Sequence, residues 1–231
     1  DGAAGFKVLV LGDSGVGKTS LTQLICHDQP VLEPAYTVGC QVDVKLFQMP
    51  DELAVHCFEF WDVSGAPRYA ESRQVYFDNP DGIVLVHDLA NTKSYANLRR
   101  WLAEVAASRS GGWREAEMGG RRVDDGAAAE VASLTTIGDY DPEAAAGDSK
   151  GRPALVVGTR LDAVGTGAPV RCLLADDLGA RAVYVNTREP ESARSDGQLG
   201  LALSQFLRAM IDRRNYGTRG APRRHRVGGA A

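Results

Sequence analysis

The chain has 231 residues, 44% of them apolar, and a formal net charge of −4. It is long enough for one large domain or two small ones and apolar enough for a real core, and its mild acidity excludes a chain built as a whole to bind nucleic acid. Four cysteines without paired spacing exclude a disulfide framework or a cysteine-rich zinc site; with no secretory leader or membrane-spanning apolar run to be read, a protein of the cytoplasm or nucleus is expected.

In chain order, residues 6–11 read as a buried strand whose apolar run stops at Gly12. The run Gly12-Asp13-Ser14-Gly15-Val16-Gly17-Lys18-Thr19 then satisfies the phosphate-loop pattern G-x-x-x-x-G-K-[ST] in full. Leu21, Leu24 and Ile25 follow at helical spacing. The motif therefore lies between a strand and a helix, where successive backbone N–H groups point at a di- or triphosphate. Gly15 and Gly17 are expected because a Cβ would crowd the phosphate. Lys18 would give a point charge to the β- and γ-phosphates, and the Thr19 hydroxyl would ligate Mg²⁺. The alternative is a chance match in a glycine-rich chain, and both flanks argue against it.

A polar stretch over residues 27–36 leads to period-two alternation at 42–46. Met49-Pro50-Asp51-Glu52 makes a turn and residues 55–61 run back, giving an antiparallel hairpin. Residues 83–86 are wholly apolar, as a central parallel strand requires. Leu98, Trp101, Leu102 and Val105 mark one face of a helix. Residues 154–157 and 182–185 are two further strands, and Leu199, Leu203, Phe206, Leu207 and Met210 stripe a closing helix. This alternation specifies an α/β fold with a mostly parallel sheet and helices on both faces. Residues 109–152 break the rhythm. Sixteen of these 44 residues are Gly or Ala, and outside a short helical stretch at Ala127 to Leu134 no periodicity survives. A flexible surface insertion is expected there, either passively tolerated or serving as a lid or docking element.

Three further signals concern a nucleotide. Asp62-Val63-Ser64-Gly65 ends the second hairpin strand, 43 residues after Thr19. Asp62 is placed to hold a water of the Mg²⁺ shell, the Gly65 N–H to reach a γ-phosphate, and Thr37 to give a second hydroxyl to the metal. A loop ordered through Thr37 and Gly65 only when γ-phosphate is present is a switch. Thr159-Arg160-Leu161-Asp162 follows the strand at 154–157. Guanine offers two adjacent donors that one carboxylate accepts, whereas adenine lacks the ring N–H, so Asp162 would read guanine. The plainer alternative makes Asp162 a helix N-cap. The stem of Arg160 would cover the ring with its head in water, and Asn186-Thr187-Arg188 would offer a backbone N–H to the guanine carbonyl. A kinase or ATPase would need an acceptor site or an arginine-rich lid. Arg121 and Arg122 lie in the insertion, but Asp162 argues against adenine.

With these motifs together, the chain resembles the small GTPases of the Ras superfamily, Rab-like branch. The resemblance rests on residues 12–19, Thr37-Val38-Gly39, Trp61-Asp62-Val63-Ser64-Gly65 and Thr159-Arg160-Leu161-Asp162. The stretches at residues 36–44, 82–89, 97–101 and 138–141 narrow it to the group of Rab-like protein three and the plant light-insensitive-period GTPase. It covers roughly residues 5–215 and implies a phosphate-loop G-domain: a six-stranded sheet, five helices, GTP or GDP, and Mg²⁺. The expected domain boundary is at 215, with residues 216–231 a basic, disordered tail. The nucleotide contacts it implies are Asp13, Ser14, Gly15, Val16, Gly17, Lys18, Thr19, Ser20, Thr37, Gly65, Thr159, Arg160, Asp162, Asn186 and Thr187. Lys18, Thr37 and Gly65 would serve catalysis, and Thr19, Thr37 and Asp62 the metal. Partners would be effector, activating and exchange proteins, and the resemblance also admits a homodimer.

The departures from the family pattern carry their own expectations. Ala66 and Pro67 stand where the family has a water-orienting Gln and its neighbour, so intrinsic hydrolysis should fall below ~10⁻⁴ s⁻¹. Thr159 replaces the usual Asn, which should weaken a brace to the phosphate loop and loosen nucleotide binding by about 1 kcal/mol. Pro30 occupies the place of a base-stacking aromatic. No cysteine follows Cys172, so a prenyl anchor is not encoded at this terminus. Six arginines after Asp212 allow at most weak electrostatic contact with a membrane. Two functions fit these residues: a slow GTPase switch, or a GTP-bound scaffold with little or no hydrolysis.

Overall fold

The computed structural model describes residues 5–49, 53–108, 152–164 and 172–218. The expected insertion at 109–152, with its short helix, lies almost wholly outside the described residues, as do the hairpin turn at 50–52 and residues 219–231 of the expected 216–231 tail, whose first three residues continue a helix instead. Six strands form one sheet in the order β2-β3-β1-β4-β5-β6. They are β1 (Phe6–Leu11), β2 (Cys40–Gln48), β3 (Val55–Val63), β4 (Gly82–Asp88), β5 (Ala154–Thr159) and β6 (Arg181–Tyr184). Only the β2–β3 pairing is antiparallel.

β1, β4 and β5 carry apolar runs at 8–11, 83–86 and 154–157 because both faces of the sheet are covered there. Alternate residues then enter opposite cores. Val8 and Val10 pack with Leu21, Leu24 and Ile25 of α1 (Lys18–His27) and with Leu203, Phe206 and Leu207 of the last helix, Gln198–Thr218. Leu9 and Leu11 pack with Leu98, Trp101 and Val105 of α3 (Leu98–Ala107). Between these helices lie α2 (Thr92–Ala96), α4 (Leu161–Val164) and α5 (Leu173–Asp177), which makes the closing helix α6. α2 and α5 are too short to leave a periodic trace in the sequence.

The hairpin has an unexpected face. Val42, Val44 and Leu46 of β2 point to solvent, Leu46 being 68% exposed. Asp43 and Lys45 face α1 instead: Asp43 accepts from Gln23 and contacts His27, while Lys45 donates to the Ile25 carbonyl. Among the described residues no helix is long and apolar enough to cross a membrane.

The topology places the site. From β1 the chain moves to one side of the sheet to form β2 and β3, then crosses to the other for β4, β5 and β6. A crevice opens at such a reversal, at the carboxyl ends of the parallel strands. The segments after β1, β3, β5 and β6 meet there.

Candidate functional site

A cavity of about 430 Å³ occupies this crevice. Of the expected contact residues, Ser14, Gly15, Gly17, Lys18, Thr19, Ser20, Thr37, Gly65, Thr159, Arg160, Asp162, Asn186 and Thr187 line it. The phosphate loop runs from β1 into α1. Gly15 and Gly17 have φ of +80° and +92°, a conformation that favours glycine. A Cβ on Gly15 would meet no atom of the chain within 4 Å, so backbone conformation, not internal crowding, demands it. Gly12 differs, since a Cβ there would stand 2.1 Å from the Val86 carbonyl oxygen.

Lys18 is 5% exposed and donates to the carbonyls of Gly12 (2.9 Å) and Asp13 (2.8 Å). Burial lowers its pKa to about 8, against the opposing pull of Asp62 and Asp13. Beside it, three residues from separate elements converge. The Thr19 hydroxyl donates to Asp62 Oδ2 at 2.5 Å, the Thr37 hydroxyl reaches the same oxygen at 3.1 Å, and the two hydroxyls lie 3.0 Å apart. Asp62 is 1% exposed, and its Oδ1 is buried with no hydrogen-bond partner. Burial pushes its carboxyl pKa up, against the hydrogen bonds from the two threonines. An orphaned carboxylate oxygen beside two hydroxyls suits a hard divalent cation. Gly65 presses on the loop: a Cβ there would lie 2.4 Å from the Asp13 carbonyl carbon and 2.4 Å from the Ser14 nitrogen.

Several expectations need correction. Asp13 does not line the cavity. Its carboxylate is turned toward α3, accepting from Asn97 Nδ2 (2.6 Å) and Trp101 Nε1 (3.0 Å). Val16 does not line the cavity either: its side chain is buried in the core at 2% exposure. Thr159 keeps the brace that replacing Asn was expected to weaken: its buried hydroxyl reaches the Val16 carbonyl at 2.6 Å and the His87 carbonyl at 3.1 Å. The Arg160 head is not left to water. It pairs with Asp88 at 2.7 Å and donates to the Gly15 carbonyl at 2.9 Å. Asp162 is no N-cap but the second residue of α4, exposed on the cavity wall. Pro30 is not among the lining residues; Val31, Leu32 and Pro34 are.

Sequence reasoning missed two neighbours of the site. Arg68 lines the cavity. Arg73 does not, but it is 2% exposed, stacks 4.0 Å from the Trp101 ring and forks onto Glu104 of α3. Its Nη1 comes within 3.5 Å of the Ser64 and Ala66 carbonyls. Asp13, Trp101 and Arg73 thus join the phosphate loop, α3 and the segment after β3.

Comparison with known proteins agrees with this geometry. The Ras of Complex (Roc) domain of DAPkinase matches residues 7–112. Rab-like protein 3 of Mus musculus is 36% identical over 222 residues, covering 91% of this chain and 86% of that protein. The Bos taurus counterpart is 35% identical over 240 residues, 96% and 93% of the two chains. The Arabidopsis thaliana small GTPase LIP1 is 39% identical over 113 residues, 44% of this chain and 33% of that one.

Proposed function

The chain belongs to the Ras-like small GTPases, in the group of Rab-like protein 3, and we propose that it is a guanine-nucleotide switch that hydrolyses GTP slowly. The observation that carries the reading is the meeting of Thr19, Thr37 and Asp62 beside Lys18. Thr37 belongs to the segment between α1 and β2, and its contacts near the phosphate loop are a tie that a γ-phosphate would reinforce and its loss would release. Thr19 and Thr37 would hold Mg²⁺ through their hydroxyls, with Asp62 holding the ion or a water of its shell. The ion supplies charge neutralisation on the phosphate oxygens.

The chain's own groups have distinct roles. Backbone N–H groups of residues 15–17 cradle the phosphates, and the Lys18 ammonium, now on the Gly12 and Asp13 carbonyls, moves to the β- and γ-oxygens. The Gly65 N–H orients the γ-phosphate. Asp162 accepts the two guanine donors, and the Thr159 hydroxyl holds the loop in register through Val16. In hydrolysis a water oxygen bonds to the γ-phosphorus while the bond to the bridging oxygen breaks, giving GDP and phosphate. Ala66 has no group to orient that water, so the reaction is slow without a partner that supplies one. Effector, activating and exchange proteins are the partners such a switch implies.

The second reading, a GTP-bound scaffold, draws on the same Ala66. Following the γ-phosphate of GTP on the purified protein separates the two. The switch reading expects GDP to accumulate over hours at ~10⁻⁴ s⁻¹ or slower. Intact GTP after days favours the scaffold, and unaided turnover above ~10⁻² s⁻¹ contradicts the role given to Ala66.

A further inference from the structure

Arg68 lines the cavity but belongs to none of the nucleotide-binding motifs. It follows Gly65 by three residues. Because Gly65 is packed against the backbone of Asp13 and Ser14, this stretch begins at the phosphate end. Three residues of chain span about 10 Å at most, so Arg68 stays close to that end. The intervening turn is constrained. Pro67 opens a 3₁₀ turn over Pro67–Tyr69, closed by hydrogen bonds from Tyr69 N to Ala66 O (3.1 Å) and from Ala70 N to Pro67 O (3.0 Å). From behind, the buried Arg73 stands within 3.5 Å of the Ser64 and Ala66 carbonyls.

Of the other cations lining the cavity, Arg188 stands at the base end and Lys18 is already assigned to the β- and γ-oxygens. Lys18 is bound to two loop carbonyls, and Arg160 is paired with Asp88. Arg68 is exposed, its guanidinium lies 4.8 Å from the centre of the Tyr69 ring, and it has no carboxylate partner among the described residues. A cation held by one aromatic face can swing to a phosphate at small cost. The position beside Gly65, where a water-orienting side chain would stand, holds only the Ala66 methyl.

We propose that Arg68 is a catalytic residue supplied by the chain itself, its guanidinium steadying the terminal phosphoryl group as GTP is hydrolysed. The inference rests on the GTPase reading above. As water oxygen bonds to the γ-phosphorus, the electron pair of the breaking bond stays on the β-phosphate and the water proton ends on the released phosphate. Negative charge builds on the bridging and γ-oxygens. A guanidinium offers those oxygens a planar pair of donors and takes no proton. Arg68 would leave hydrolysis slow, since it orients no water, yet measurable.

The test uses the full chain with Mg²⁺ and GTP, comparing wild type with Arg68→Ala and Arg68→Lys in single-turnover phosphate release. Two further readouts separate catalysis from folding and binding: affinity for a non-hydrolysable GTP analogue, and capture of aluminium fluoride by the GDP form. Removing one preorganised donor from a developing charge typically costs about 100-fold in rate. Arg68→Ala should therefore slow hydrolysis at least about tenfold and abolish aluminium fluoride capture, with analogue affinity held within about threefold. Arg68→Lys should fall between the two. Unchanged hydrolysis in Arg68→Ala overturns the proposal, as does a loss of analogue affinity large enough to explain the whole effect. If wild type binds GTP without cleaving it, the proposal is overturned and the scaffold reading stands. If wild type binds no GTP, the GTPase reading itself fails.

Discussion

The two ends of the cavity are built to different standards. At the phosphate end the functional groups are part of the core: Lys18, Asp62 and Thr159 are 5%, 1% and 0% exposed. Lys18 is held by its own loop's Gly12 and Asp13 carbonyls, whereas Asp62 and Thr159 are held by groups from distant parts of the chain, as Asp13 is by Asn97 and Trp101. At the base end Arg160, Asp162 and Arg188 are exposed, and Asp162 rides on the four-residue helix α4. A phosphate carries most of the ligand's charge, and holding it in a low-dielectric pocket requires prearranged donors. A base needs only a few directional contacts to be told from its analogues. The proposed function therefore assigns grip to the buried half and selectivity to the surface half.

Substitutions at the two ends should separate accordingly. The largest effect is expected for Lys18→Ala, which removes a charge and two hydrogen-bonding directions from the phosphate end. Charged hydrogen bonds contribute about 1.5–3 kcal/mol each, so affinity for GDP and GTP should fall about 10³-fold by titration of a fluorescent nucleotide. A fall of less than about tenfold would mean that the buried end does not supply the grip. Next comes Asp162→Ala. It should leave diphosphate binding measurable while guanine loses about 100-fold of its advantage over adenine in competition assays. Equal loss for both bases would move Asp162 from selectivity to grip. The smallest effect is expected for Thr159→Val, which keeps shape but strips the hydroxyl from the Val16 carbonyl. Leaving a buried carbonyl unpaired costs about 1–3 kcal/mol, read as a lower denaturant midpoint together with faster nucleotide release. Release unchanged in a destabilised protein would show that the brace serves the fold alone.

The same division governs what could be read in the sequence. The phosphate loop was legible because its function resides in backbone shape, which its glycines and Lys18 specify locally. Asp62 and Thr37 were legible from their order behind a strand and a polar stretch, and the fold draws them together with Thr19. The buried strands were legible from apolar runs, including the sequence-remote β5. Contacts set by long-range packing were not. Asp13 sits inside the motif, yet its carboxylate answers to Asn97 and Trp101, 84 and 88 residues away. Arg73 looks like any surface arginine until Trp101 and Glu104 bury it. Thr159 was expected to weaken the brace because the family uses an amide there, but a hydroxyl at 2.6 Å from Val16 makes the same connection. Periodicity identified the β2–β3 hairpin but not its outward face, because alternation alone does not say which side meets a helix.

The central claim is that the crevice at the carboxyl ends of β1, β3 and β5 grips a magnesium-bound guanosine polyphosphate. Isothermal calorimetry of the nucleotide-free chain with excess Mg²⁺ tests it most directly. Saturable binding of one GDP or GTP per chain, with ATP at least about 100-fold weaker, is the expected result. Absence of saturable heat for either guanine nucleotide, or equal binding of ATP, would contradict it.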